Sequence, residues 1–507
     1  MSSKPMAVSR RSFISSAGAG AAACALAAIP QAHAAASTDV TWDDSADVVV
    51  IGLGGAGDAA AVAALDKGAS VIAIECNEQG GGSTRICGGL VYIGGGTPVQ
   101  QRFGIEDSTD AMKAYLSAAL GPSSDPELLD VFCTNNLDLF DWLVEKGVTF
   151  EGDAEIEKHV VIAPEGVCLT YSGNERAIPY AAIAEPAPRG HTPNGGGAAI
   201  CDALEPRVAE GGKVLYNTRA TELVCDENGT VTGVLATDAD GNAVAVEARK
   251  GVVIAAGGFC YNDEMLANYA PEGLLCHGRV GTPTDMGDGI LMAMKLGAAT
   301  RSMSRMNVSE NLYMLGSLPE GVLVNWNGLR FAAEDWYGAW VGRATTTQLI
   351  DNTYAIIDAT TWAKLQEEGC DGRLTVAAEA DTLEELCEAV GLPASNVANT
   401  VERYNQLCDE GTDSDWGKDS VYLGTGVRTA PFYAFDYGPV IPGFHTLGGL
   451  RINANAEVLD LDGNPIAGLY AAGRSSCGIY GEYPGSGTSV ADCLIFGRIA
   501  GEQAASR

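Results

Sequence analysis

The pattern of apolar and polar positions near the start of the chain predicts one β-turn-α-β unit. Residues 47–51 (Asp-Val-Val-Val-Ile) form a short apolar run, typical of a buried parallel strand. A glycine-rich turn follows at 52–57, and the alanine-rich segment 58–67 has helical character. Residues 70–74 form a second apolar run that ends at Glu75. This order predicts an α/β fold in which parallel strands are joined by a helix.

Later segments of the chain show the same two kinds of pattern. Residues 251–254 and 468–472 are apolar runs that end in small residues, which predicts two further buried strands. Residues 488–500 are apolar at helical spacing, which predicts a helix. Other expected elements are a hairpin with its turn at Asn327-Gly328 (321–324 with 329–331), two helices (381–390 and 392–408), and a helix capped by Asp125-Pro126 whose core face carries Leu129, Phe132, Leu139 and Leu143.

Composition and charge narrow the choice of partners. The 507 residues are 46% hydrophobic, which suits a globular protein with a large core. There are 31 Lys and Arg residues against 65 Asp and Glu residues, a net charge of −34 that would repel nucleic acid and anionic lipid. The 64 glycines, often in pairs and triplets, suggest backbone-lined binding sites. We therefore expect a small-molecule ligand and no nucleic-acid partner.

The first 34 residues contain no Asp or Glu and have the pattern of a targeting segment. Residues 9–14 (Ser-Arg-Arg-Ser-Phe-Ile) resemble the twin-arginine export signal, and Ala32-His33-Ala34 resembles a cleavage site. We expect removal of residues 1–34 and export to the periplasm or cell surface, with lipid attachment at Cys24 as an alternative. No other segment has about 18 consecutive apolar residues, so no membrane span is expected in the mature chain.

The 14 cysteines are scattered along the chain. They form no Cys-x-x-Cys pair and no Cys-x-x-Cys-His haem site. We therefore predict no metal site and no cytochrome domain within this chain.

The glycine turn has the spacing of a dinucleotide-binding motif. Gly52, Gly54 and Gly57 form G-x-G-x-x-G between a strand and a helix. The first glycine permits the tight turn, and the second lets the backbone approach a pyrophosphate. The helix N-terminus adds unpaired N–H groups and a positive dipole. Glu75 lies at the position expected for an acid that accepts hydrogen bonds from a ribose.

A second glycine-rich loop indicates a flavin. Residues 80–89 (Gly-Gly-Gly-Ser-Thr-Arg-Ile-Cys-Gly-Gly) resemble the loop of flavoproteins that lines FAD. The helix predicted from Thr488 would place its N-terminal N–H groups where they stabilise the charge of reduced flavin. FAD is therefore the predicted cofactor. Its predicted contacts are Gly52, Gly54, Gly55, Ala56, Gly57, Glu75, Gly81, Gly82, Ser83, Thr84, Cys87, Gly88, Gly89, Ala220, Ala256, Gly257, Gly258, Asp288, Gly473, Arg474, Ser489 and Val490.

Residues 45–505 resemble the flavoprotein subunits of fumarate reductase and succinate dehydrogenase and their relatives. Five segments are more specifically similar to the 3-ketosteroid dehydrogenases, of the Δ4 type above all: 89–98, 187–191, 322–325, 334–337 and 446–450. The resemblance implies a Rossmann-like FAD-binding domain (38–280 and 435–507) interrupted by a smaller α+β capping domain (281–434), with the active site between them. Since no His stands within 76–90, where the complex-type relatives attach flavin covalently, FAD is expected to be noncovalent.

The resemblance also predicts the type of chemistry. Fumarate reductases hold their dicarboxylate with arginines that follow an R-F-x-x-E segment and recur near the C-terminus. Here Asp335-Trp336-Tyr337-Gly338 follows the first segment, and 480–487 (Tyr-Gly-Glu-Tyr-Pro-Gly-Ser-Gly) occupies the second place. A phenol hydrogen-bonds a carbonyl without requiring a counter-charge, so these tyrosines favour a neutral ketone over a dicarboxylate.

Residue roles follow from the similarity to the ketosteroid enzymes. Tyr483 and the Gly487 N–H would bind the substrate carbonyl, because 483–487 resembles the Δ1-type Y-P-G-x-G. Tyr337 would transfer the proton on the adjacent carbon, and the flavin would exchange a hydride with the next carbon. The Δ4-type enzymes carry Tyr-x-Ser here, which would match Pro484 and Ser486, so Tyr480 is a candidate replacement for that tyrosine. His191 and His445 are also noted: a lone histidine in a glycine-rich loop is more often structural, with flavin contact as the alternative.

The expected function is therefore that of an exported flavin enzyme that reduces a carbon–carbon double bond conjugated to a ketone. With no electron source of its own, it would need a separate redox partner, such as a membrane-anchored cytochrome. One alternative is a reductase of α,β-unsaturated carboxylates in which Arg343, Arg279 or Arg189 rebuilds the anion site. Another is a non-catalytic flavin electron carrier.

Overall fold

The computed structural model describes residues 35–36, 40–156, 165–310, 316–369 and 375–507. The expected export segment, residues 1–34, lies outside the described residues. The strands are β1 Ala35–Ala36, β2 Asp44–Ile51, β3 Val71–Ile74, β4 Val91–Tyr92, β5 Asp153–Glu155, β6 Val167–Thr170, β7 Gly190–His191, β8 Lys213–Leu215, β9 Arg219–Cys225, β10 Val231–Thr237, β11 Ala243–Ile254, β12 Thr300–Arg301, β13 Met306–Val308, β14 Val322–Val324, β15 Tyr354–Asp358, β16 Val376–Ala380, β17 Phe432–Asp436, β18 Gly443–Thr446, β19 Gly449–Leu450, β20 Glu457–Leu459 and β21 Pro465–Ala471.

Helices connect and cover these strands. They are α1 Gly55–Asp66, α2 Gly82–Arg85, α3 Pro98–Arg102, α4 Thr109–Ala119, α5 Pro126–Thr134, α6 Asn136–Glu145, α7 Gly196–Gly211, α8 Asp263–Tyr269, α9 Asp288–Lys295, α10 Gly338–Thr346, α11 Ala359–Glu367, α12 Leu383–Val390, α13 Ala394–Glu410 and α14 Thr488–Ser506. Within the part of the chain that the structure describes, none of the helices combines the length and the apolar character that a membrane span requires.

A nine-stranded sheet forms the centre of the larger domain. Strands β8, β3, β2, β11 and β21 pair in parallel, in that order, which is the arrangement expected of a Rossmann-like unit. The long strand β11 also pairs antiparallel with β10, and β10 with β9, so that a meander extends from the same sheet. The α/β prediction is confirmed, and β2, α1 and β3 form the expected unit.

Helices α1 and α14 pack against each other unusually closely. The α1 helix is almost entirely buried and built of small residues. On α14, a Cβ atom at Gly497 would lie 2.5 Å from the Ala56 carbonyl oxygen, and one at Gly501 would lie 2.0 Å from the Ala60 carbonyl oxygen. Glycine at these two positions therefore lets the two backbones touch. This contact fixes the N-terminus of α14 beside the glycine turn that precedes α1.

The smaller domain contains a four-stranded sheet in the order β14-β15-β17-β16, with all pairs antiparallel. Helices α12 and α13 pack on it around a second core that includes Leu386, Val397 and Tyr404. Two features lie close to the predicted domain boundaries. The last strand of this sheet, β17, continues to Asp436, and helix α9, which follows residue 281, lies against β9 of the large sheet. The boundaries at 280/281 and 434/435 stay predictions.

Two local predictions were only partly correct. The turn at Asn327-Gly328 forms, but 329–331 adds no strand, and a single bridge joins Val324 to Arg330. The Arg330 side chain instead turns inward to a buried ion-pair network with Glu334 and Asp413. The helix expected after Asp125-Pro126 is broken at Asn135 into α5 and α6, although its four core residues are buried.

Candidate active site

A cavity of about 1000 Å³, including space open to solvent, lies at the carboxyl ends of β2, β3 and β11. The glycine turn forms one wall and requires glycine for steric reasons. Gly52 has φ +90°, and a Cβ there would lie 2.6 Å from the Ala255 carbonyl oxygen. A Cβ at Gly57 would lie 1.9 Å from the Gly52 carbonyl oxygen. This cavity therefore presents close backbone and the N-terminus of α1, as a pyrophosphate site requires.

Glu75 lies in the wall of this cavity and is buried. Its Oε2 accepts a hydrogen bond from the Leu53 N–H at 2.8 Å, and its Oε1 accepts one from the Asn77 N–H at 2.9 Å. The carboxylate thus ties the glycine turn to the end of β3 while it faces the cavity. This position suits contact with a ribose.

A second cavity, of about 920 Å³ including space open to solvent, lies between the large sheet and the smaller domain. It shares five wall residues with the first cavity, so the two form one continuous site. The shared residues are Ser83, Cys87, Arg474, Ser489 and Val490.

Most of the predicted contacts lie in these walls. The first cavity is lined by Gly52, Gly54, Gly55, Ala56, Glu75, Gly82, Thr84, Ala220, Ala256, Gly257 and Asp288, besides the five shared residues. Gly88 and Gly89 line the second cavity. Gly57, Gly81, Gly258 and Gly473 are not among the lining residues and shape the backbone behind them: a Cβ at Gly473, for example, would lie 2.8 Å from the Ala56 Cβ.

Four of the five residues predicted to be catalytic line the second cavity together: Tyr337, Tyr483, Ser486 and Gly487. Tyr337, which precedes α10, comes from the smaller domain, and the other three come from the loop before α14. The Tyr337 hydroxyl lies 2.9 Å from Ser486 Oγ, and the Tyr337 and Tyr483 rings lie 6.2 Å apart. Tyr480 is buried behind Tyr483, with ring centres 5.9 Å apart, and is not a lining residue.

Two wall residues of this cavity, Tyr483 and His445, are held in their neutral forms. Burial raises the pKa of Tyr483 to about 12, so its phenol keeps its proton at neutral pH. Burial also lowers the pKa of His445 well below its usual value, and the nearby Arg474 lowers it further. His445 stands edge-on to Tyr483 at 4.9 Å between ring centres. The site can therefore donate hydrogen bonds to an oxygen without offering it a fixed charge at these two residues.

Three further polar residues line the second cavity: Asn307, which sequence reasoning missed, and His445 and Arg474, which it had named as candidate flavin contacts. Asn307 and His445 are paired across β13 and β18, and the structure offers no hydrogen-bond partner to Asn307 Oδ1 or His445 Nε2 among the described residues. Arg474 touches both cavities and donates a hydrogen bond from Nε to Ser489 Oγ at 3.4 Å, and it takes part in none of the ion pairs among the described residues. The pairing of β13 with β18 is a long-range contact that local sequence patterns do not reveal.

The three arginines considered for an anion site lie elsewhere. Arg189 is buried and bound by Asp107 at 2.7 Å, and Arg279 is bound by Asp263 at 2.5 Å. Arg343 forms an ion pair with Glu482. None of the three is among the residues that line the second cavity. The role of these arginines in an anion site stays a prediction.

His191, the other histidine considered, is structural. Its two ring nitrogens contact Thr97 Oγ1 at 2.8 Å and the Arg189 carbonyl oxygen at 3.1 Å. Burial lowers its pKa to about 4, so the ring is neutral.

One group of possible metal ligands lies behind the glycine turn. In the described part of the chain, ligand atoms of Asp58, Cys201 and Glu205 come within 4.8 Å of one another. Arg85 already pairs with Glu205 at 2.9 Å, and burial raises the pKa of Asp58 well above its usual value. A protonated carboxyl and a guanidinium-bound carboxylate are poor metal ligands, so we interpret this group as a structural ion-pair cluster.

The glycine turn, the carboxylate at Glu75 and the joined cavities fit FAD. Comparison with protein families agrees, since the model described as FAD binding domain matches residues 47–490. The chain belongs to this family of FAD-binding flavoproteins. It resembles a urocanate reductase of Eggerthella lenta (32% identical, covering 94% of this chain and 77% of the relative) and a fumarate reductase (cytochrome) of Shewanella frigidimarina (30% identical, 91% and 77%).

A solved structure is also similar to this flavoprotein. It is the 3-ketosteroid-Δ4-(5α)-dehydrogenase from Rhodococcus jostii RHA1 in complex with 4-androstene-3,17-dione, at 37% identity and a TM-score of 0.88, covering 94% of this chain and all of the other. The flavoprotein is thus an FAD-dependent oxidoreductase that acts on carbon–carbon double bonds. This confirms the predicted cofactor and class of enzyme.

Proposed function

We propose that this flavoprotein reduces a carbon–carbon double bond conjugated to a ketone, in a substrate of the 3-oxosteroid kind. The observation that carries the proposal is the contact between the Tyr337 hydroxyl and Ser486 Oγ, 2.9 Å, in a cavity where Tyr483 is also a neutral donor. The similarity to a ketosteroid dehydrogenase supports the same substrate class.

Each residue has a distinct role in this proposal. Tyr483 and the backbone N–H of Gly487 bind the substrate carbonyl, because the first N–H groups at a helix N-terminus have no partner within the helix. These donors stabilise the charge that develops on the carbonyl oxygen, an effect typically worth about 3 to 4 kcal/mol per donor. Tyr337 donates the proton to the adjacent carbon, and Ser486 holds its hydroxyl in place. When bound, FAD supplies the hydride for the other carbon.

A test of this proposal follows the flavin directly. The holoenzyme, reduced under anaerobic conditions, is mixed with a 3-oxo-4-ene steroid, with fumarate or with urocanate, and flavin absorbance is recorded. We expect the steroid alone to reoxidise the flavin. Tyr337→Phe should slow the reaction by about 10² to 10⁴-fold, because it removes the proton donor. Tyr437→Phe is the matched control, since Tyr437 is equally buried but is not a lining residue of the second cavity.

A second candidate function rests on Arg474. This half-buried guanidinium lines the second cavity and takes part in none of the ion pairs among the described residues, so it is free to bind the carboxylate of an unsaturated acid. Similarity to urocanate and fumarate reductases supports this alternative. Reoxidation by an acid and by no enone, abolished in Arg474→Gln, would establish the alternative and contradict the ketone proposal.

We further propose that the protein is exported and receives electrons from a separate redox protein, with its FAD noncovalently bound. The twin-arginine pattern at Arg10-Arg11 supports export. The chain has no haem-attachment motif, while one relative is a fumarate reductase (cytochrome). Replacing Arg10 and Arg11 with lysine should leave the protein in the cytoplasm, as cell fractionation would show. An unchanged distribution between fractions would contradict the proposal.

A further inference from the structure

Residues 172–174 (Ser-Gly-Asn) lie behind the second cavity and contact both parts of its catalytic wall. Asn174 Oδ1 accepts a hydrogen bond from the Tyr337 N–H at 2.7 Å. The Ser172 carbonyl oxygen accepts one from the Ser486 N–H, also at 2.7 Å. One short segment therefore fixes the backbone of the two residues whose hydroxyl groups meet in the cavity. We call residues 172–174 the clamp segment.

Tyr115 strengthens the same connection from helix α4. Its hydroxyl accepts a hydrogen bond from the Asn174 N–H at 2.9 Å and donates one to the Pro484 carbonyl oxygen at 2.8 Å. Gly173 forms a β-bridge with Gly485. A Cβ at Gly173 would lie 2.5 Å from the Pro484 carbonyl oxygen, so the close approach requires glycine. The clamp segment and the loop before α14 thus behave as one packed unit.

The contact from Asn174 differs from the others because it crosses to the smaller domain. Tyr337 precedes α10 of that domain, whereas Ser486 belongs to the larger one. The distance between the Tyr337 hydroxyl and Ser486 Oγ therefore depends on how the two domains are held together. Asn174 is buried and does not line the second cavity, so its side-chain oxygen acts on the reaction through the backbone of Tyr337.

We propose that Asn174 is a positioning residue for proton transfer: by holding the Tyr337 backbone, it keeps the Tyr337 hydroxyl at the distance from Ser486 and substrate that the reaction needs. This inference rests on the proposed role of Tyr337. Small displacements of a reacting group are costly, and a shift of about 1 Å can slow a reaction about 10²-fold.

A double-mutant cycle tests the inference, with flavin reoxidation by a 3-oxo-4-ene steroid as the measured rate. In the wild-type background, Asn174→Ala should slow the step about 10- to 100-fold, with little change in the half-saturating substrate concentration. Asn174→Asp keeps an acceptor oxygen and should recover most of the rate. In a Tyr337→Phe background, Asn174→Ala should cause no further loss, because the two residues act through one hydroxyl.

The control is Asn405→Ala in the smaller domain. Asn405 Oδ1 accepts a hydrogen bond from the Val427 N–H at 2.7 Å, the same length as the contact from Asn174. Neither Asn405 nor Val427 lines either of the two cavities described above. Equal slowing by Asn174→Ala in both backgrounds, or a rate no lower than that of Asn405→Ala, would overturn the inference. A Tyr337→Phe variant as fast as wild type would instead contradict the proposed role of Tyr337, and with it this inference.

Discussion

Among the described residues of this flavoprotein, a few buried side chains have a polar atom without a hydrogen-bond partner. Glu175, next to the clamp segment, is one of them. Its Oε2 accepts from the Gly173 N–H at 2.8 Å, while Oε1 has no partner among the described residues. Burial raises the pKa of this carboxyl from 4.5 to about 7, although Arg189 opposes the shift. Such a residue makes stability depend on pH.

We expect the stabilising effect of Glu175→Gln to grow with pH. Between pH 4.5 and about 7 the folded protein holds the Glu175 proton more tightly than the unfolded chain, so a rise in pH destabilises the wild type. The variant cannot ionise. It should match the wild type near pH 4.5 and exceed it above pH 7 by up to about 3 kcal/mol. Thermal unfolding of the holoprotein across this range measures the difference, with Glu388→Gln on the exposed face of α12 as control. A constant difference at all pH values would contradict the expectation.

Arg474 is a half-buried cation in the walls of both cavities, so we expect it to lie close to the bound flavin. A positive charge there should stabilise the electron-rich reduced cofactor. We expect Arg474→Gln to lower the midpoint potential by about 30 mV or more, which corresponds to about 1.4 kcal/mol for two electrons. Redox titration of the holoenzyme measures this shift. A loss of FAD affinity with an unchanged potential would show that Arg474 binds the phosphates instead.

At the scale of elements, the contact between α1 and α14 controls how the site is assembled. Because a Cβ at Gly501 would lie 2.0 Å from the Ala60 carbonyl oxygen, Gly501→Ala must push the helices apart. We expect a loss of about 1 to 3 kcal/mol in the free energy of unfolding, as for other overpacked cores. Gln503→Ala, on the exposed side of α14, is the control. Thermal unfolding of both holoproteins compares them, and equal melting temperatures would show that the helices adjust without strain.

The same elements show what the sequence can and cannot predict. The unit from β2 to β3 was predictable because its apolar runs and glycine spacing are local, and Gly52 and Gly57 are required by the backbone itself. The split between α5 and α6 was not, since the apolar repeat continues across Asn135. The hairpin after β14 was only partly predictable, because the Arg330 side chain forms an ion pair with Asp413, which lies 83 residues further along the chain.

In the candidate site, too, residues in local motifs were predictable and residues placed by distant contacts were not. Tyr337, Tyr483 and Ser486 were identified by resemblance, and the structure places them in one cavity. Asn174 and Asn307 carry no local signal at all. Their positions depend on contacts between distant segments, such as the pairing of β13 with β18. Sequence reasoning therefore found the residues that belong to motifs and missed the residues that hold those motifs in place.

At the scale of the whole molecule, the net charge of −34 should govern which electron donors react fastest. A strongly acidic surface attracts cationic donors and repels anionic ones, and such steering changes encounter rates by about 10 to 10³-fold. We expect a cationic one-electron dye to reduce the flavin at least about tenfold faster than an anionic dye of matched potential at low salt. The difference should largely disappear near 0.5 M salt, where the Debye length falls to roughly 4 Å.

Stopped-flow reduction of the oxidised holoenzyme, over a series of ionic strengths, measures this effect. A neutral dye is the control, because its rate should not depend on salt. If the anionic dye reacted faster, the local electric field at the cavity mouth would have a larger effect on the encounter rate than the net charge of the molecule. Arg474 would then be the first residue to substitute. If neither rate changed with salt, electron entry would be limited by a step after encounter, and surface charge would not select the redox partner. The expected result would instead favour a redox partner with a basic docking surface.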